Sequence, residues 1–554
     1  MKKLVTLLFL ITAHTSFSQT VAWLKKGGDH NSDNQAFGTT IDHGHHVIIS
    51  GAFSDTATFG TTTLASRGGN DGYILKYDSS GTVLWAKTIG GTGFEMTGHS
   101  AVDASDNIYV GGYFASSAAY FTATDSLVNP MPGLWSSYLA KYDASGNFVW
   151  SRLLGATSST SQVGAWAVAV DPQGFPIIGG LFNTGVNIGG TVYTNPYYNM
   201  FLAKFTPSGG VDWVDIGKSL GICKVNEIAT DINGKIYVTG KISSDVMFGS
   251  TNYPHVSGDD VFIGKFDTAG NVQYFKAFGC TEFVTTTSGN MDAGNSIQPD
   301  KLGNVYVGGS IMIHYVASAA GLSQKAFYAK YNDTGGQVWM HTFGIATESV
   351  TGVAVDAAND PYISAFIYAT DTIGGTVVPY SAGTNTIVAK VDKTTGNTVW
   401  LKNTSSTTGG ASASPLGFTN TGSIAVDQGM GAVMVSGQFK SDMSLGSYNV
   451  SSSTSSLKSD MYMARIWNRV STADVKEISN AVKVNIYPNP ATAIVNIEAD
   501  KAVNISLLAA DGREVMAQRN VTAIDISALA DGVYFISIFT SDNQLLKTAK
   551  IIKN

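Results

Sequence analysis

Residues 82–90 read TVLWAKTIG, and residues 147–155 read NFVWSRLLG. Both are short runs rich in β-branched and apolar residues, with a large aromatic ring at the fourth place. That place recurs along the chain as Trp23, Trp85, Trp150, Trp213, Tyr274, Trp339 and Trp400. Six of these strands close a complete repeat unit. The first, TVAWLKKGG (20–28), has no unit before it, and the last unit, ending DMYMARIWN (460–468), has no such strand after it. The orphan at the front fits the gap at the back. The spacing therefore predicts an all-β chain whose blades form a closed ring, a seven-bladed β-propeller in which the N-terminal strand completes the last blade and leaves no open sheet edge.

A second marker gives the same count. A turn containing Asp follows a strand of small residues at Asp42, Asp103, Asp171, Asp231, Asp300, Asp356 and Asp427, about every 64 residues. Such a period is the mark of a repeat architecture. In the second unit the expected strands are 99–103, 107–114, 137–143 and 147–154. The first, of small and β-branched residues, suits the crowded axis, and the aromatic fourth strand suits the widening outer gap. Strands three and four are joined by Asp-x-x-Gly turns, as in YDSSGTV and YDASGNF. There Asp accepts a bond from backbone two residues on, and Gly supplies a positive φ. Thr206 and Asn332 replace that Asp, the sixth unit has one extra residue in VDKTTGNTVW, and Pro299 is tolerable only at the end of its inner strand.

The strings AVD-x-x-x-N-I-Y-V-G-G and K-Y-D-x-x-G-x-x-x-W, repeated over 20–468, resemble the secreted seven-bladed propeller repeats of bacterial surface proteins and, more loosely, NHL-type repeats. The resemblance implies an architecture and no activity. Alternating strand direction puts the short one-to-two and three-to-four turns on one face. It puts the longer two-to-three and four-to-one loops on the other, which read as irregular, and function tends to sit on such variable loops. The aromatic-rich stretches there are 115–136, with Tyr120, Phe121 and Trp135; 183–199, with Tyr193, Tyr197 and Tyr198; and 243–260, with Tyr253 and His255. Exposed rings beside Asp and Asn stack on sugars or anchor peptides, and the alternative is that each ring packs on its own blade.

Charged residues make up 14 % of the chain, against roughly 25 % in an average soluble domain. Gly is abundant, the net charge is −7, and no Lys/Arg stripe is present, so nucleic acid is not an expected partner. The stretch 1–18 reads as a secretory signal peptide: Lys2 and Lys3, an apolar run from Leu4 to Ala13, then Ser16 and Ser18 before Gln19. No later run is long enough to span a bilayer, so no transmembrane segment is expected in the mature chain. Cys223 and Cys280 could form a disulfide only if their Cα atoms came within about 7 Å; otherwise they are separate thiols. No nucleophile elbow, zinc-protease motif or P-loop occurs. Asp29-His30-Asn31-Ser32-Asp33 resembles the start of a calcium loop but lacks its later Gly and Glu, so it reads better as a solvated loop than as a calcium site, and no cofactor is expected. His43, His45 and His46 could meet at a metal but read better as a solvated turn. The repeated Asp residues are explained as turn formers, which leaves no distinctive acid/base pair.

After a linker at 469–481 the rhythm changes. Residues 482–554 show short alternating runs that suggest a small C-terminal β-sandwich. YPNPA (487–491), DGREV (511–515), IDISALADGVYFI (524–536) and KTAKIIK (547–553) closely resemble the type A C-terminal sorting domain of the type IX secretion system of Bacteroidota. The resemblance implies a route across the outer membrane to a secreted or cell-surface destination, with the secretion machinery as partner. The expected function is non-catalytic binding or adhesion to glycan or protein on the long-loop face. The alternatives are a polysaccharide lyase or glycosidase at the channel mouth, and a structural envelope component.

Overall fold

The computed structural model describes residues 19–28, 33–279, 292–314, 323–344, 348–381, 384–405, 423–440, 442–452, 459–468, 484–499, 502–509, 514–540 and 545–554. The expected signal peptide, the linker, Cys280 and most of the calcium-like stretch lie outside these residues. The chain divides into two compact units, one running from Gln19 to Arg469 and the other holding the C-terminal residues from Val470.

In the larger unit the described strands assemble into seven four-stranded antiparallel blades. Blade 2 shows the pattern: Glu95–Val102, Ile108–Phe114, Ser136–Tyr142 and Phe148–Ala156. The inner strands of blades 1 to 7 are Asn34–Ile41, Glu95–Val102, Gln162–Val170, Cys223–Thr230, Ala293–Pro299, Ser349–Val355 and Ser423–Asp427. Each packs against the inner strand of the next blade, and the last packs against the first. Pro299 is the final residue of its strand, where the missing N–H costs least. Blade 7 takes its outer strand from the other end of the unit. Thr20–Gly27 pairs antiparallel with Asp460–Trp467, from Thr20 opposite Trp467 to Gly27 opposite Met461. Val21, Trp23 and Leu24 are buried in that seam.

The short turns are built from one repeated device. The Asp of each one-to-two turn accepts backbone N–H bonds from ahead in the chain, as Asp103 does from Ser105 at 2.9 Å and Asn107 at 3.0 Å. Its carboxylate also meets a cation on strand three: Lys76 to Asp42 at 2.7 Å, Lys204 to Asp171 at 2.8 Å, and Arg465 to Asp427 at 2.9 Å. These pairs are almost fully buried. In four blades the strand-three cation and the aromatic marker both donate to one carbonyl in the three-to-four turn of the following blade. Pro207 O accepts from Lys141 Nζ and from Trp150 Nε1. Thr268 O accepts from Lys204 and Trp213, and Lys393 O from Lys330 and Trp339. Across the seam, Ser79 O accepts from Arg465 and Trp23 in the same way. The turn glycine explains the motif. Gly81 has a φ of 79° and its α-carbon lies against the Trp23 ring, so a side chain there meets both backbone strain and a clash.

The three histidines do not converge. His43 Nδ1 meets Asp106 of blade 2 at 2.7 Å, His45 Nδ1 meets Asp427 of blade 7 at 2.8 Å, and His46 Nδ1 meets Asp42 of its own blade at 3.0 Å. His43 is exposed and His45 and His46 are partly so, and this solvent-facing turn also ties blade 1 to blades 7 and 2. Cys223 is a free thiol buried in the core between blades 3 and 4.

The two-to-three connections differ from the irregular loops expected. Five of them fold into β-hairpins with two-residue turns: Gly60-Thr61, Gly189-Gly190, Gly249-Ser250, Gly374-Gly375 and Gly446-Ser447. The first glycine of each has a φ between 50° and 62°, the left-handed conformation that a tight hairpin turn demands. Several of these hairpins lie on the outer strand of the preceding blade, as Val186 to Ile188 pairs with Leu154 to Ala156.

In the C-terminal unit, Asn485–Tyr487, Ile494–Glu498 and Ala523–Asp525 form one sheet. Glu514–Val521, Val503–Ala509, Gly532–Phe539 and Leu545–Lys553 form the other. Val495, Ile497, Leu507, Ile524, Ile536 and Ile551 fill the space between them.

Candidate functional site

All seven inner strands line a central channel with a volume of about 320 Å³. Small side chains keep it open: Gly38, Thr39, Ser100, Ala169, Ala229, Ala354 and Ala425. Six of the seven inner strands carry a β-bulge midway, at Phe37, at Gly98-His99, and at Trp166, Asn226, Asn295 and Thr351. A bulge adds a residue and re-aims its side chain, and bulges gather next to functional sites. Asn226 Nδ2 spans to Gly294 O of the next blade at 2.8 Å, and Asn295 Nδ2 to Val350 O at 3.1 Å, so these two stitch the ring. Trp166 is only partly covered and belongs to an aromatic group with Phe37, Phe94, Tyr113 and Trp135.

Three titratable groups sit on the inner strands around this zone. Burial pushes the His99 imidazole down to about 4, so it is neutral at pH 7. Burial pushes the Glu227 carboxyl up to about 7, against hydrogen bonds from Ser296 and the Ile297 N–H that favour its charged form. Burial, and then the charge of Lys241 on the adjacent strand, push Lys224 down to about 8. Glu227 and His99 are the acid and the histidine among the described channel-lining residues. Perturbed groups in a cleft mark functional zones more often than not.

The aromatic residues expected on the long-loop face fall into three groups. Phe121 is a correction: it is 4 % exposed, stacked on Phe148 at 5.4 Å and edge-on to Tyr138 at 5.2 Å, so it is core. Trp135 lies on Tyr113 at 4.8 Å, Tyr193 packs on the core of blades 2 and 3, and Tyr253 sits between Phe248 and Phe275. Each of these rings stabilises its own blade or the one before it. His255 Nδ1 is held by Asp245 at 2.8 Å. Tyr120 is 36 % exposed beneath the Arg67 guanidinium at 4.9 Å. Tyr197 and Tyr198 are exposed at 45 % and 38 %, and Tyr198 bridges to Ile222 of the neighbouring blade. There they adjoin Leu220, 76 % exposed, and Ile222, 38 % exposed. The outcome is an apolar and aromatic platform across blades 3 and 4.

Residues 485–554 match the sequence model of the family described as secretion system C-terminal sorting domain. The chain therefore carries a type IX sorting domain, and it is an exported protein of the cell surface or the medium with a propeller fold. Among the described residues no helix is long and apolar enough to cross a membrane. An uncharacterized WD repeat-containing protein of Acanthamoeba polyphaga mimivirus is 27 % identical over 241 residues, covering 37 % of this chain and 17 % of that protein. The regulatory protein FlaEY of Caulobacter vibrioides is 25 % identical over 228 residues, covering 38 % of this chain and 23 % of that protein. The chain thus spans under a quarter of the length of either curated relative. Among solved structures, virginiamycin B lyase from Staphylococcus aureus aligns over 80 % of this chain and 99 % of its own, at 9 % identity and a TM-score of 0.37.

Proposed function

We propose that the exported propeller is a binding module that captures glycan or protein on its long-loop face without transforming it. The platform of Tyr197, Tyr198, Leu220 and Ile222 carries this reading. Exposed aromatic rings offer a large contact area at little entropic cost, and such residues dominate binding energy where they cluster. They stand on a hairpin and a strand end tied into the blade ladders, so the surface is preorganised. The polysaccharide lyase or glycosidase alternative draws on Glu227, whose raised pKa suits a general acid. Against it, the Glu227 carboxylate is engaged by Ser296 and Ile297, and a glycosidase needs a second carboxylate roughly 5–10 Å away. Among the described residues that line the channel no second carboxylate occurs. Screening the 20–468 fragment against glycan and surface-protein arrays tests the proposal. Retention of a ligand unchanged in mass supports it, a cleaved ligand favours the enzyme, and an array with no retained ligand removes it.

A further inference from the structure

We propose that the channel mouth on the long-loop face holds an anionic sugar, with its acidic group on Lys224 and its ring against Trp166. This rests on the glycan-binding reading above and narrows it to a charge class and a place.

Lys224 stands in a local excess of positive charge. Lys224 is the second residue of the inner strand Cys223–Thr230 and so lies at the long-loop end of the channel. The strand register sets it directly opposite Lys241. Two ammonium groups thus share one neighbourhood, and the carboxylate beside them, Asp259, is in ion-pair contact with Lys241. Among the described residues no carboxylate or carbonyl lies within hydrogen-bonding distance of Lys224 Nζ. The side chain is partly covered, and its ammonium remains charged at neutral pH. The chain's other covered cations show how unusual this is. Lys76, Lys204 and Arg465 each meet an Asp carboxylate within 3.0 Å, and each also donates to a turn carbonyl of the next blade. A partly covered ammonium that shares the one carboxylate Asp259 with Lys241 has charge left for a partner from outside. An anion supplies that partner through a charge-assisted hydrogen bond.

The neighbouring ring selects the kind of anion. Trp166 projects from a bulge, and Lys224 Nζ stands 5.9 Å from its centroid. An indole surface beside a cation suits a pyranose that carries a carboxylate, with its C–H face on the ring and its acid on the ammonium. A simple inorganic anion uses the cation alone.

The probe is a short oligogalacturonate, with its fully methyl-esterified form as the neutral counterpart, titrated into the full chain by calorimetry. The expected result is binding of the acid at least about tenfold tighter than the ester. Lys224→Met should lose about tenfold for the acid and little for the ester, with a thermal midpoint equal to or above that of the parent, since the repulsion between Lys224 and Lys241 has been removed. Equal binding of acid and ester overturns the charge assignment and leaves the glycan reading intact. So does wild-type affinity in Lys224→Met. Binding of inorganic sulfate as tightly as the oligomer overturns the role of Trp166. Failure of both oligomers together with an empty neutral-glycan array removes the glycan reading as well. The comparison of acid with ester needs no variant, so it decides the matter even if Lys224→Met folds poorly.

Discussion

The two faces of the ring follow opposite rules. On the short-turn face the blades draw on one set of contacts: an Asp caps its own turn in all seven, a strand-three cation pairs with it in five, and a Lys or Arg and an indole meet on one carbonyl of the next blade in four, among the described residues. On the long-loop face the hairpin turns recur, but the exposed residues and the charge balance change from blade to blade. Seven-fold repetition marks what the architecture needs from every blade. A residue that departs from the repeat, such as Lys224, Glu227 or the Tyr197-Tyr198 pair, answers to something other than the ring.

The contrast can be broken hardest at the seam. Deleting residues 20–28 strips the outer strand from blade 7 and exposes the faces that cover Val21, Trp23 and Leu24. Burial of such side chains is worth about 1.5–3 kcal/mol each, so the loss approaches the whole net stability of a domain. Thermal melting should lose its cooperative transition, and limited proteolysis should cut within the blades. Asp427→Ala should come next. It leaves Arg465, 1 % exposed, without its carboxylate and frees His45 as well, at about 3–5 kcal/mol in urea unfolding.

A smaller effect lies on the opposite face. Burial, and then the charge of Glu95, hold Asp71 up at about 7 against a 3.0 Å bond from the Arg67 N–H. In the unfolded chain the same carboxyl ionises near 3.8. Between these values the unfolded state binds fewer protons, so stability falls as pH rises from roughly 4 to 7 and is level above. Asp71→Asn should flatten that decline and raise stability at pH 8 by about 1 kcal/mol or more, read as the difference in melting midpoint between pH 5 and pH 8. The smallest structural effect belongs to Tyr198→Ala, within about 0.5 kcal/mol, because the ring is exposed. Its expected mark is weaker ligand retention on the array with an unchanged melt, the reverse of Asp427→Ala.

Where the chain repeats itself, the sequence was readable. Seven aromatic positions and seven Asp turns average out local departures such as Thr206 and Asn332, so the outer strand at 20–27 could be assigned to blade 7 across more than 400 residues. The hairpins of the long-loop face were missed although they repeat too. Phe59-Gly60-Thr61, Phe248-Gly249-Ser250 and Leu445-Gly446-Ser447 share an apolar residue before a turn glycine, but the strands are short and the motif is absent at the tip of blade 2. Reading those stretches as loops made every ring in them look exposed. Hairpin folding instead buries alternate residues such as Val186 and Ile188, while Tyr197 and Tyr198 lie between the paired Asn195 and Asn199, outside the ladder, and stay exposed. The bulges left no sequence trace, since Phe37, Trp166, Asn226 and Thr351 share no chemistry. Lys224 and Glu227 were legible in principle: both are charged residues inside GICKVNEIATD, a strand position that other blades fill with small or apolar side chains.

The pairing of Thr20–Gly27 with Asp460–Trp467 also makes completion of blade 7 depend on both ends of the repeat domain. A chain cut short anywhere before residue 460 offers its first strand no partner, whatever the quality of the blades already formed. Completeness is thereby converted into a single local event, the docking of one strand. A secretory pathway that degrades unpaired edges thus inspects the full length of the repeat domain by sampling only eight residues.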